Sequence, residues 1–137
     1  MNTNLSATTA LAARLLLASL FLISGVGKIA APAATKAYIA YAGLPAPDLA
    51  YLIAILVEVG FGLALVLGYR TRAVALVMAI FTLATALVFH HNFADQNQMI
   101  HFLKNISITG GLLQVVAFGA GAYSLDARRG RMLKPAY

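Results

Sequence analysis

The chain has no cysteine and no tryptophan, and only four of its 137 residues are acidic. Without cysteine, disulfides, thiol exchange, cysteine-ligated metal clusters and c-type haem attachment are excluded within this chain. Charge of either sign is scarce. Asp, Glu, Lys and Arg together make up 10% of the residues, against about 25% in ordinary soluble domains. That is too little polar surface to cover a water-soluble globule, and too little charge for a solvated disordered chain. Also absent are a P-loop, a dinucleotide fingerprint, a nucleophile elbow, an internal repeat and any low-complexity tract. What is present is apolar. Hydrophobic residues make up 61% and mean hydropathy is +0.84. The length admits one domain, residues 1–137.

The few charges are spaced so as to leave long uncharged runs. Residues 73–94 and 105–125 carry none, Glu58 alone falls between Asp48 and Arg70, and Arg14 alone precedes Lys28. About 20 mostly apolar residues carry a helix across a bilayer. The sequence therefore reads as four spans, 11–30, 49–68, 73–89 and 103–122, followed by a basic tail, 123–137. The runs are continuous and not alternating, which excludes a transmembrane barrel. Spans two and three also lack the polar face that a soluble bundle would need. The expected fold is an all-α, polytopic membrane four-helix bundle. The first run lacks the positive n-region of a secretory signal and is interrupted by Arg14, so it reads as a retained span.

A net charge of +6 and a pI near 10 would fit nucleic-acid binding, but the basic residues sit at span ends, where they orient membrane proteins. Arg14, Arg70, Arg72, Arg128, Arg129, Arg131 and Lys134 fall on one side, seven against the three of Lys28, Lys36 and Lys104. The positive-inside rule then puts both termini in the cytoplasm and loops 31–48 and 90–102 outside. The partner so implied is a lipid bilayer, not nucleic acid. Small residues recur at four-residue spacing in Gly60/Ala64/Gly68, Ala75/Ala79 and Ala117/Gly121, a pattern that lets helices approach closely. Within the first outer loop, Thr35–Ala42, with Tyr38 and Tyr41, reads as a short interfacial helix.

Polar residues at membrane depth carry whatever chemistry there is. Glu58 lies about 14–15 Å from either end of its span at 1.5 Å per residue. A carboxylate at that depth must be paired, wetted or protonated and is expected to face the bundle interior. It serves either as one half of a structural pair or as a proton-handling, ligand-binding acid. Arg14, Lys28 and Gln114 are all candidate partners.

A second polar stretch runs from His90 to Gln98. Asp95 followed by Gln98 has the spacing of a helix N-cap with a capping box, so span four is expected to start ahead of its apolar core. Asn97, His101 and Lys104 then share one helix face, with Asn105 beside them. The three histidines invite a metal, but their spacing matches no ligand motif and adjacent histidines point different ways on a helix. No metal is assigned. The expected site is a cavity toward the outer leaflet lined by Lys28, Glu58, His101, Lys104 and Asn105. A closed network in which these groups neutralise one another is the alternative.

These residues fall in a recognisable order. Arg14-x2-Leu17-x3-Phe21-x2-Ser24-Gly25-x2-Lys28 resembles the opening of the DoxX family of small bacterial membrane proteins. Gly43-Leu44-Pro45, Glu58-x-Gly60-x-Gly62, Gly68 and Arg70/Arg72 resemble its second span. His101-Phe102-Leu103-Lys104-Asn105-Ile106-x3-Gly110-Gly111-Leu112 resembles its last. The resemblance implies an inner-membrane four-helix bundle linked to quinone-reducing oxidoreductase complexes, and Arg14, Lys28, Glu58, Lys104 and Asn105 match its pattern. A thiol-relay form of that activity has no cysteine to run on here. The expectation is a redox-linked subunit with no covalent cofactor, binding quinone and partnered by a membrane or soluble oxidoreductase or a second copy of itself. The alternative is a non-enzymatic anchor or assembly partner, or a carrier of small solutes or lipids.

Overall fold

The computed structural model describes residues 3–132. Among these the secondary structure is entirely helical: α1 (Thr3–Ala30), α2 (Pro32–Tyr41), α3 (Pro47–Ile55), a π-helical turn (Leu56–Phe61), α4 (Gly62–Leu67), α5 (Thr71–Phe89), α6 (Gln96–Phe118) and α7 (Leu125–Met132). Helix α3, the π turn and α4 run on as one span. Four helices, Asn4–Ala30, Pro47–Leu67, Thr71–Phe89 and Gln96–Phe118, are long and apolar enough to cross a bilayer, as the runs of uncharged residues imply. The tail position Lys134 lies outside the described residues.

Local chemistry explains the shifted boundaries. Span one starts ahead of residue 11 because Thr8 and Thr9 donate their hydroxyls to the carbonyls of Asn4 and Leu5, which accommodates a polar first stretch inside a helix. Span four starts at Gln96 because Asp95 caps it, its Oδ1 accepting from the N–H groups of Asn97 at 2.8 Å and Gln98 at 3.3 Å. The reciprocal half of the capping box does not form: the Asp95 N–H donates to Asn92 O, and the Gln98 side chain meets His90. The same span ends at Phe118, four residues before the expected 122, because Gly119 adopts φ 80, ψ −163. That region of backbone space is open essentially only to glycine, and it turns the chain out of the helix. Span two closes with Gly68 at φ 68, where Tyr69 N–H reaches Ala64 O and Gly68 N–H reaches Leu65 O, the paired bonds of a Schellman cap.

The core lies along the bundle axis and is made of Ala18, Phe21, Val57, Leu65, Val74, Ala75, Met78, Ala79, Leu112 and Val115. Leu16, Ile23, Leu52, Ile80 and Leu87 are exposed on the outside, as lipid-facing positions are. Of the small-residue sets, Ala75, Ala79 and Gly68 are buried as the spacing implies, and a Cβ at Gly121 would stand 2.7 Å from Ala10 Cβ on α1, whereas Gly60 and Ala117 are exposed. Close contacts fall also at Gly25 and Gly62. A Cβ at Gly25 would stand 2.6 Å from Val59 Cγ2, and one at Gly62 would stand 3.0 Å from Leu22 Cδ2. Helix α2 is the expected interfacial helix, begun by Pro32. It is tethered across the 31–46 connection by a 2.6 Å Lys36–Asp48 ion pair, and Tyr38 stacks on Phe89 with ring centroids 5.4 Å apart.

Candidate functional site

The π turn decides how Glu58 is presented. Within it Val57 and Glu58 are both buried inside the bundle. Gly25 on α1 makes room for the wider turn, since a Cβ there would approach Glu58 Cβ to 3.0 Å. Glu58 is only 5% exposed, so its carboxylate faces the interior and not the acyl chains.

Lys28 is its partner. From the last turn of α1 the ammonium donates to Glu58 Oε1 and Oε2, each at 2.9 Å, and to Ser24 Oγ at 2.7 Å. An ammonium has three donors and all three are used, whereas an ionised carboxylate has about four acceptor sites and here receives only Lys28. The pair is therefore satisfied on the cation and open on the anion.

That open side borders a cavity of about 440 Å³. Its walls are apolar, from residues such as Phe21, Ile39, Ile53, Phe81, Val88 and Ile108, with polar groups at Ser24, Lys28, Glu58, Thr82, Thr85 and Asn105 and with Tyr38 and His90 toward the loop end. Thr82 Oγ1 donates to Met78 O and Thr85 Oγ1 to Thr82 O, so both hydroxyls are partly engaged with backbone. The Asn105 side-chain amide has no partner among the described residues.

Of the six positions singled out from the sequence, the fold brings Lys28, Glu58 and Asn105 together at the cavity. The other three lie elsewhere. Arg14 is at the opposite end of the bundle. Lys104 and His101 are exposed and are not on the cavity wall. The reason is helix rotation: α6 turns Asn105, Ile108 and Leu112 inward, and a step of 100° per residue carries Lys104 off that side. His101 shares the side of Asn105 but sits a turn nearer the helix start, where its ring stacks on His90 at 5.1 Å between centroids. Gln114 is exposed as well and does not partner Glu58.

Arg14 is 1% exposed and has no carboxylate within ion-pair distance among the described residues. Its guanidinium donates to the carbonyls of Leu65 and Val66, both at 3.1 Å, and to Tyr123 O. It thus ties α1 to the end of α4 and to the segment before α7. Sequence reading missed Ser24, Tyr38 and His90 as cavity groups. Ser24 was detectable, since it stands four residues before Lys28 on the same helix face.

The DoxX family profile matches residues 9–91, which span α1 through α5 and include both members of the ion pair. The chain belongs to the DoxX family. It is 45% identical over 116 residues to the inner membrane protein YqjF of Escherichia coli (strain K12), covering 85% of this chain and 88% of that one. It is 39% identical over 123 residues to the inner membrane protein YphA of the same organism, covering 86% of this chain and 88% of its relative. No solved structure matches the chain. This DoxX-family member is thus a multi-pass protein of the inner membrane.

Proposed function

We propose that this protein is a redox-linked membrane subunit that holds a quinone headgroup in the Glu58 cavity, with both termini in the cytoplasm. The observation that carries the reading is the one-sided saturation of the Lys28–Glu58 pair: a carboxylate with free acceptor sites, opposite an unpartnered amide, inside an apolar chamber. A chamber of about 440 Å³ falls within the size range of small-molecule sites, which combine apolar walls with a few convergent polar groups. When the quinone is reduced by two electrons it takes up two protons from water, and Glu58 accepts the hydrogen bond of the quinol hydroxyl so formed. Asn105 donates to a quinone carbonyl. Lys28 holds the carboxylate in position from the other side. Electrons enter from a partner oxidoreductase. The cytoplasmic placement of the termini is supported by the excess of arginine at that end.

The test is a titration of the purified chain with a short-tailed quinone. Asn105→Leu removes a donor without disturbing the ion pair and is expected to weaken binding by about tenfold, the equivalent of one good hydrogen bond. Lys104→Met, outside the cavity, is expected to leave affinity unchanged. Equal affinity in the wild type and both variants would exclude this chamber as the site.

A further inference from the structure

The end of the bundle that carries both described termini has a second concavity, separate from the Glu58 cavity. It is an open groove of about 530 Å³ between the start of α5 and the 119–124 turn. Gly119 ends α6 there and turns the chain away. The Arg72 side chain lies across it, so that a Cβ on Gly119 would stand 3.3 Å from Arg72 Nε. The only acid lining the groove is Asp126, which is held by backbone, Oδ1 accepting from Arg70 N–H and Oδ2 from Thr71 N–H, each at 2.8 Å, and no Lys or Arg side chain forms an ion pair with it among the described residues. The guanidiniums of Arg70 and Arg72 therefore have no counter-ion among the described residues. Phe118, 79% exposed, stands at the rim where the groove meets the lipid face of α6.

We propose that this groove binds the phosphate of an anionic phospholipid, with Arg70 and Arg72 on the phosphate oxygens and Phe118 against the first methylenes of an acyl chain. Arginine's planar fork suits a phosphate, with two parallel N–H···O bonds from each guanidinium. The groove is lined by the ends of two membrane-spanning helices, Thr71 and Phe118, where a lipid headgroup meets its chains, and Phe118 supplies the apolar half of the recognition. Arg70 and Arg72 themselves give the groove a positive potential, which draws anionic lipids and disfavours the ammonium of a zwitterionic one. A free phosphate shares the headgroup chemistry but has nothing to place on Phe118.

The experiment is native mass spectrometry of the full chain, stripped of lipid in detergent and offered phosphatidylglycerol, phosphatidylcholine or inorganic phosphate. The wild type is expected to retain phosphatidylglycerol about tenfold more strongly than phosphatidylcholine, and the Arg70→Gln/Arg72→Gln variant to lose about that factor. Arg128→Gln/Arg129→Gln should retain the lipid nearly as well as the wild type, and Phe118→Ser should weaken lipid but not phosphate. The groove is refuted as a site if the two lipids are held equally, or if both double variants lose phosphatidylglycerol alike. The lipid assignment fails if inorganic phosphate displaces phosphatidylglycerol at equal concentration.

Discussion

Two cations enter the interior of this bundle from opposite ends of the same helix, and they are held in different ways. Lys28 meets a carboxylate and a hydroxyl at the wall of a chamber. Arg14 meets backbone carbonyls in a fully packed setting, with no carboxylate partner. The ends differ in charge to match. At the Arg14 end six arginines, Arg14 included, share one acid, Asp126, while at the other end Lys28, Lys36 and Lys104 are balanced by Asp48, Glu58 and Asp95. The Lys28 end leaves acceptor capacity pointing into empty space and so can receive a ligand. Arg14 fastens three chain segments through its two terminal nitrogens; its Nε–H is left buried without a partner among the described residues, but neither cavity borders it. Depth in the membrane alone does not mark a functional residue; what decides is whether an open valence borders a cavity.

The largest expected effect lies in the ion pair. Removing one member, by Lys28→Met or Glu58→Gln, leaves the other charge buried and uncompensated, and should lower unfolding stability by about 3–5 kcal/mol. Removing both should restore most of that loss, because an apolar or neutral pair needs no compensation. Chemical denaturation in detergent measures all three. A double variant as unstable as either single one would mean that the pair's geometry, and not its charge balance, holds the helices.

Arg14 should show the opposite pattern. Arg14→Met is expected to lose about 2–3 kcal/mol through carbonyls left unbonded, with no change in quinone affinity. Arg14→Lys should recover only part, since one ammonium cannot reproduce a fork across three carbonyls. Stability and ligand titrations on the same samples separate these effects. A loss of ligand binding in Arg14→Met at full stability would break the contrast between the two ends.

The smallest effect concerns α7. Burial alone would raise the Asp126 carboxyl, but hydrogen bonds from Thr71 and Arg70, helped by Arg14, outweigh it and hold the group below the usual carboxylate range. A carboxyl depressed in the folded state contributes stability above its unfolded value, near pH 3.9, and that contribution is lost as pH falls through the lower folded value. Hydrogen exchange of residues 125–132 should therefore accelerate as the pH is lowered below about 4, beyond the intrinsic dependence. Asp126→Asn should exchange fast at neutral pH as well. Protection that does not respond to either change would mean that α7 is docked by other contacts.

The four spans were legible because uncharged runs of bilayer length have few other interpretations. The start of span four was legible from Asp95, whose cap forms as its spacing implies. Its end was not, because a glycine in an apolar run signals nothing until its φ is known, and Gly119 reads like Gly110 or Gly111. In the site, Glu58, Lys28 and Asn105 followed from depth and end position. His101 and Lys104 misled because a polar helix face was read as an inward one, and helix rotation about its axis is set by packing that periodicity alone does not reveal. The π turn was invisible for a similar reason: one extra residue per turn leaves no compositional trace.

The most direct test of the central claim is quinone affinity in the Lys28→Met/Glu58→Gln double variant, measured after its stability has been shown to be near that of the wild type. If the pair is a binding element, affinity should fall by about tenfold or more in a protein that is still folded. Wild-type affinity in the folded double variant would contradict the account and leave the pair as a fastening, like Arg14.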